Sequence, residues 1–219
     1  MTSHDVVDEI RRITGEQRVG HAGTLDPMAT GVLVVGVGRE ATRVLGSISK
    51  STDKMYRATV RLGATSDTYD GEGRISENED VVPPKKLDVQ SALRKFTGTF
   101  QQTPPVFSAI KVGGVKSYDR ARTGESFQLE PRTVTVHSLH LHSFHWPEAI
   151  LDVTCSSGTY IRSLAHDLGE KLGVGAYLTA LERMAVGSYT IRQAHILEEV
   201  KADWQSFLLP IPRLDNKAV

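Results

Sequence analysis

The chain has 219 residues, 39% of them hydrophobic and 24% charged, which is the make-up of a soluble globular protein with one large domain or two small ones. No apolar run reaches bilayer length and the opening MTSHDVVDEIRR has no signal-peptide apolar stretch; the single cysteine, Cys155, excludes an internal disulfide framework and fits a reducing cytoplasm. With 26 basic and 26 acidic residues the net charge is zero, which excludes a chain-wide basic footprint for nucleic acid and leaves local clusters, basic at Lys111, Lys116, Arg120 and Arg122 and acidic over 67–80.

In chain order, residues 4–13 read as a short amphipathic helix with Ser3 as N-cap and Gly15 as its stop. A glycine-rich loop covers 20–31, and the apolar, β-branched run VLVVGVG at 32–38 reads as a buried strand. Ala41, Val44, Leu45 and Ile48 give 40–49 a helical period. From Lys54 the period becomes two, with Tyr56, Ala58, Val60 and Leu62 on one face and Arg57, Thr59 and Arg61 on the other. The polar segment 63–84 reads as a solvated loop, and its acids lack the twelve-residue calcium pattern.

Residues 85–97 form the next expected helix, closed by Gly98. A Pro-bounded strand follows, then a hairpin turning at Gly113-Gly114 and a short helix over 118–122. Alternation predicts strands over 132–146 and 149–155. Ile161, Leu164, Ala165, Leu168 and Leu172 predict a helix over 161–172 ending at Gly173. A further helix over about 176–185 and a final strand over 186–191 complete an α+β chain with much antiparallel pairing.

The loop Gly20-His21-Ala22-Gly23-Thr24-Leu25-Asp26-Pro27 draws attention because its glycines permit sharp turns and close approach of a bulky ligand. Pro27 biases Asp26 toward extended backbone, so the loop can hold one carboxylate and one imidazole in place. An ordinary Asp-Pro turn in a glycine-rich connection is the plainer reading. A phosphate-cradling loop does not fit, since GxxxxGK[ST] is absent and the segment leads into a strand, and no GxSxG supports a serine hydrolase. Zinc is not expected at His137, His140, His142 and His145, because strict alternation puts only His140 and His142 on one face.

Four segments in order resemble the bacterial tRNA pseudouridine-55 synthase family: GHAGTLDPMATGVLVVGVGREATR, KMYRATVRLGATSDTYDGEG, TPPVFSAIKVGGVKSYDRAR and CSSGTYIRSLAHDLGEKLGVGAYLTALERMAVGSY. The resemblance implies the pseudouridine synthase fold, a mixed, mostly antiparallel sheet flanked by helices, as one catalytic domain over 1–219. It implies isomerisation of the T-loop uridine of tRNA with no cofactor or metal, by a monomer without membrane attachment. Asp26, in its Leu-Asp-Pro setting, resembles the catalytic aspartate, and His21 the histidine beside the flipped-out nucleotide. Tyr56 resembles the aromatic packed on the target base; Tyr160 and Arg162, in GTYIR, resemble the substrate-contacting tyrosine and the basic partner of the aspartate. Leu181 resembles an apolar wall of the uracil pocket.

Read singly, Tyr56 and Leu181 are better explained by core packing, and pairing with Asp167 or Glu170 is a plain alternative for Arg162. The family's usual first strand, with its Lys-Pro turn, is expected to be missing before Met1, as is a C-terminal RNA-binding domain after Tyr189. Two other functions fit the same residues: a guide-RNA-dependent synthase subunit, and a catalytically impaired module that binds or folds tRNA.

Overall fold

The computed structural model describes residues 1–108, 110–122, 127 and 129–212. The side chains of Lys111, Val112, Lys116, Asp119 and Arg122 lie outside the described set, and with them most of the basic cluster at 111–122. The elements are α1 (Ser3–Thr14), β1 (Val19–His21), β2 (Ala29–Gly31), β3 (Val35–Val37), α2 (Gly38–Ser51), β4 (Lys54–Leu62), β5 (Ala64–Ser66) and β6 (Ile75–Glu77). There follow α3 (Lys86–Leu93), β7 (Gly98–Gln102), β8 (Lys111–Val112), β9 (Val115–Lys116), α4 (Ser117–Arg122), β10 (Arg132–His145) and β11 (Glu148–Cys155). The last are α5 (Ile161–Leu172), β12 (Ala176–Val186), β13 (Tyr189–Thr190) and α6 (Leu197–Ala202). The fold is α+β, as expected. No helix of the described residues is long and apolar enough to cross a membrane.

The chain forms two compact units, one from Met1–Met55 with Glu182–Val219 and the other from Tyr56–Leu181. In the first unit β1 and β3 pair antiparallel, Val19 opposite Val37 and His21 opposite Val35. Two apolar clusters consolidate it. Val7 and Ile10 of α1 pack with Val19, Val35 and Val37, while Leu45 and Ile48 of α2 pack with Ala22, Val32 and Val186. Helix α1 is capped by Thr2, not Ser3: Thr2 Oγ1 accepts the Asp5 N–H and the Asp5 carboxylate accepts the Thr2 N–H. Gly15 closes the helix in the left-handed region, as the sequence suggests.

In the second unit the strand order is β12-β4-β11-β10-β7, with β10 antiparallel to both β11 and β7. Helix α5 buries Ile161, Leu164, Ala165 and Leu168, and ends at Gly173. Gly169 permits a close approach: a Cβ there would stand 2.1 Å from the Ala176 nitrogen, and its carbonyl accepts the N–H groups of Val174 and Gly175.

Several expectations are corrected. The segment 176–185 is not a helix but strand β12, so Leu181 lies on a strand. The run 32–38 keeps only Val35–Val37 as strand, because the Val32 N–H is drawn off to the Arg183 carbonyl. The polar segment 63–84 holds the β5–β6 hairpin and buries Ser66 and Asp70. Helix α3 stops at Leu93 and gives way to a 3-10 turn over Arg94–Phe96. The strand expected over 186–191 is the short β13, after a turn at Gly187. Register shifts between Val136 and Ser138 and between Leu141 and Ser143 break the alternation that divides the four histidines of β10, and all four are exposed.

Candidate active site

The residues singled out above divide between the units. Asp26 and His21 belong to the first; Tyr56, Tyr160, Arg162 and Leu181 belong to the second.

In the first unit, the ladder of β1 and β3 is prolonged by the Ala22 N–H donating to the Val34 carbonyl at 2.9 Å. The chain then turns at Gly23, with φ of 92°. The Leu25 N–H donates to Ser3 Oγ at 2.9 Å, which assigns the buried Ser3 a task other than the N-cap expected of it. The Asp26 carbonyl accepts the Ala29 N–H at 2.9 Å, a β-turn with Pro27 at the position where its fixed φ is preferred. Asp26 itself is half-buried. Arg183, only 2% exposed, reaches this loop from β12: its Nε donates to the Val32 carbonyl at 2.8 Å and its Nη2 to the Gly23 carbonyl at 3.0 Å. Burial, and after it the Arg183 charge, push the His21 pKa below its ordinary value, so the imidazole is neutral at physiological pH.

In the second unit Arg162 occupies the first turn of α5 and is 6% exposed. Its Nη1 lies 3.3 Å from Asp70 Oδ2 and donates to the Thr68 carbonyl at 3.2 Å, while Nη2 donates to the Phe107 carbonyl at 3.1 Å. Asp70 is 4% exposed, and its Oδ1 accepts from Thr68 Oγ1 at 2.6 Å and from the Glu72 N–H at 3.1 Å. The acid on Arg162 in this unit thus comes from the 67–80 run read as a solvated loop. Two buried charges satisfied in this way form a fixed electrostatic element at the head of α5.

Beside it, Gln102 of β7 holds the Tyr160 backbone at both atoms. Gln102 Nε2 donates to the Tyr160 carbonyl at 3.0 Å and Gln102 Oε1 accepts the Tyr160 N–H at 2.8 Å. Ser163 Oγ donates to the Thr103 carbonyl at 2.8 Å, so the GTYIR segment is anchored on both sides. Tyr69, at φ of 64°, stacks on His166 of α5 with ring centroids 3.9 Å apart. Tyr56 is half-buried on β4 and Leu181 is buried on β12.

Sequence reasoning missed Ser3 in its observed role, Asp70, Gln102 and Arg183. Each is a polar residue of a type usually found at the surface. Only for Arg183 does a local signal exist: once 181–186 is taken as a strand, alternation turns Leu181, Arg183 and Ala185 inward together. No group of three or more His, Cys, Asp or Glu side chains that could hold a metal ion occurs among the described residues.

The TruB family pseudouridylate synthase (N terminal domain) family model matches residues 11–161, and the tRNA pseudouridylate synthase B C-terminal domain model matches 162–208. The tRNA pseudouridine synthase B of Thermobifida fusca (strain YX) is 52% identical over 211 residues, which is 93% of this chain and 71% of that protein. The protein of the same name from Arthrobacter sp. (strain FB24) is 50% identical over 206 residues, 91% of this chain and 66% of that one. This chain therefore spans between 66% and 71% of the length of these two relatives. Among solved structures, a chain of a Cbf5-Nop10-Gar1 complex superimposes with a TM-score of 0.73 at 27% identity, covering 93% of this chain and 51% of that one. An H/ACA RNP bound to a substrate RNA containing 2'-deoxyuridine gives 0.68 at 26% identity, covering 93% and 50%.

Proposed function

The chain belongs to the TruB family of pseudouridylate synthases, and from that membership we propose that it isomerises the T-loop uridine of tRNA, position 55, to pseudouridine, with Asp26 as the catalytic carboxylate. The observation that supports the assignment of Asp26 most directly is the loop around it. Its backbone is tied at Leu25 by Ser3 and at Gly23 and Val32 by Arg183, and one half-buried carboxylate stands between those ties.

The reaction breaks the bond from ribose C1′ to uracil N1, turns the base, and joins C1′ to C5. The C5 proton leaves and N1 gains one, so atoms and oxidation state are conserved and the isomerisation needs no redox partner. A carboxylate contributes in one of two ways, by forming a covalent bond to the ribose or base, or by taking the proton. In this reading Tyr56 packs on the flipped base, Leu181 closes an apolar wall, and Tyr160 contacts the nucleotide. Arg162 is the basic residue of this reading. His21, neutral through burial and the Arg183 charge, lies beside the extruded nucleotide. Unstacking a base costs a few kcal/mol, which such contacts must offset, and a single-stranded loop lowers that cost.

Identity of 52% to a tRNA pseudouridine synthase B, against 27% to a chain of the Cbf5-Nop10-Gar1 complex, favours a stand-alone enzyme over a guide-RNA-dependent subunit. The enzyme acts as a monomer in the cytoplasm, a setting with which a single, buried cysteine, Cys155, accords.

The test incubates purified protein with unmodified tRNA and maps pseudouridine at single-nucleotide resolution. Product is expected at one T-loop position, and Asp26→Asn should abolish it while tRNA binding persists. Product formation by Asp26→Asn would remove the catalytic assignment. Absence of product from the wild type, with binding intact, would favour a tRNA-binding module.

A further inference from the structure

We propose that Arg183 is a positioning residue for Asp26: by binding backbone carbonyls on both sides of it, the buried guanidinium fixes where that carboxylate stands. The inference rests on the reading of Asp26 given above. All the groups concerned lie in one compact unit.

Arg183 Nε donates to the Val32 carbonyl at 2.8 Å and Nη2 to the Gly23 carbonyl at 3.0 Å, with Nη1 at 3.5 Å from the Thr24 carbonyl. Gly23 and Thr24 precede Asp26 and Val32 follows it, so one planar group ties the entry of the loop to its exit. The Arg183 main chain adds a further tie, its carbonyl accepting the Val32 N–H at 2.8 Å. Approach at this point is too close for any side chain on the neighbouring residue. A Cβ on Gly31 would stand 2.3 Å from the Arg183 oxygen, and Gly31 has φ of 99°. From the other side Ser3 Oγ holds the Leu25 N–H at 2.9 Å. Asp26 therefore projects from backbone held before, beside and after it.

Packing alone is a poor reason for an arginine here. Removing a guanidinium from water carries a large penalty, and an apolar residue of similar volume commonly gives equal or better stability at a buried site. What an apolar residue lacks is a rigid fork of N–H donors matched to carbonyls at set positions, and lysine offers only a point charge on a flexible stem. The fork also places its charge near His21, where it joins burial in lowering the pKa of the loop's other ionisable side chain.

The experiment compares wild type, Arg183→Lys and Arg183→Gln as full chains, the glutamine variant serving if the lysine variant does not fold. Backbone hydrogen exchange is read by mass spectrometry, with the thermal midpoint, affinity for a T-arm RNA and the single-turnover rate of pseudouridine formation measured alongside. Exchange in peptides covering 20–33 should rise at least roughly tenfold, while peptides of the β10–β11 hairpin stay as in wild type. The single-turnover rate should fall roughly 100-fold, the loss that follows from misplacing a catalytic group by about 1 Å, with RNA affinity within about threefold of wild type. Unchanged exchange and rate in both variants would overturn the proposal. So would a joint fall of thermal midpoint, affinity and rate, because that is the signature of a residue that merely holds the fold. Raised loop exchange in the variants, with a wild type that makes no pseudouridine, would support the clamp and count against the catalytic reading of Asp26 instead.

Discussion

Replacing Asp70 by alanine should destabilise the protein by about 3–5 kcal/mol, the range for a buried charge stripped of its partner. The side chains of Arg162 and Asp70 are 7% and 6% exposed and approach to 3.3 Å, so water screens the pair little. Arg162 keeps the Thr68 and Phe107 carbonyls after the substitution, which pulls the value toward the lower end. Asp70 also accepts from Thr68 Oγ1 and the Glu72 N–H, and losing those bonds adds back about 1 kcal/mol each. The cleaner measurement is a double-mutant cycle of Asp70→Ala, Arg162→Met and the pair, by urea unfolding monitored through circular dichroism. Arg162→Met alone leaves the carboxylate without its guanidinium, whereas the double variant removes both charges of the pair. It should be more stable than the two single losses added together predict, by about 0.5–3 kcal/mol. Strict additivity, or an Asp70→Ala midpoint equal to wild type, would refute the view that these charges sustain one another at the head of α5.

Gln102→Ala removes both bonds that the amide makes to the Tyr160 backbone and should cost about 2 kcal/mol in urea unfolding, with a larger fractional loss of RNA affinity than of single-turnover rate. Asp167 has its pKa raised above 3.8, by burial first, with the Glu170 charge adding and the His166 charge opposing. Its ionised form is therefore disfavoured in the folded state, and stability is lost as pH rises from 3.8 through the raised value. Asp167→Asn should accordingly raise the thermal midpoint at pH 7 and not at a pH below 3.8, and an equal effect at both would contradict this. Asp152 is the reverse case, its pKa lowered chiefly by the hydrogen bond from Arg57. That contribution is present above 3.8 and disappears as pH falls through the lowered value, so Arg57→Met should flatten the acid limb of the stability curve. Both partners are about two-fifths exposed, which keeps the effect within the small range of surface pairs.

What the sequence makes legible is whatever its neighbours in the chain dictate. The stripe Ile161, Leu164, Ala165, Leu168 and Leu172 specifies α5, and Gly173 stops it, because both signals act within a few residues. Gly23, Pro27 and Gly31 likewise mark the loop of Asp26 from local backbone chemistry alone. Strand β12 fails this way: AYLTALERMAV is rich in good helix formers, and its extended form comes from pairing with β4 and β13, which no local propensity records.

The same limit hides the residues that hold the site. Asp70 stands in the acidic run 67–80, where a solvated loop is the sound expectation for every member, and what separates it is a guanidinium from α5. Gln102 and Arg183 are buried polar groups, tolerated where Tyr160 in one case, and Gly23 and Val32 in the other, arrive from distant parts of the chain with matching donors or acceptors. Chemistry-bearing residues can therefore be sought at a loop by their own types and spacing. The residues that fix such a loop in space are selected by partners remote in sequence, and they become visible only when those partners are in place.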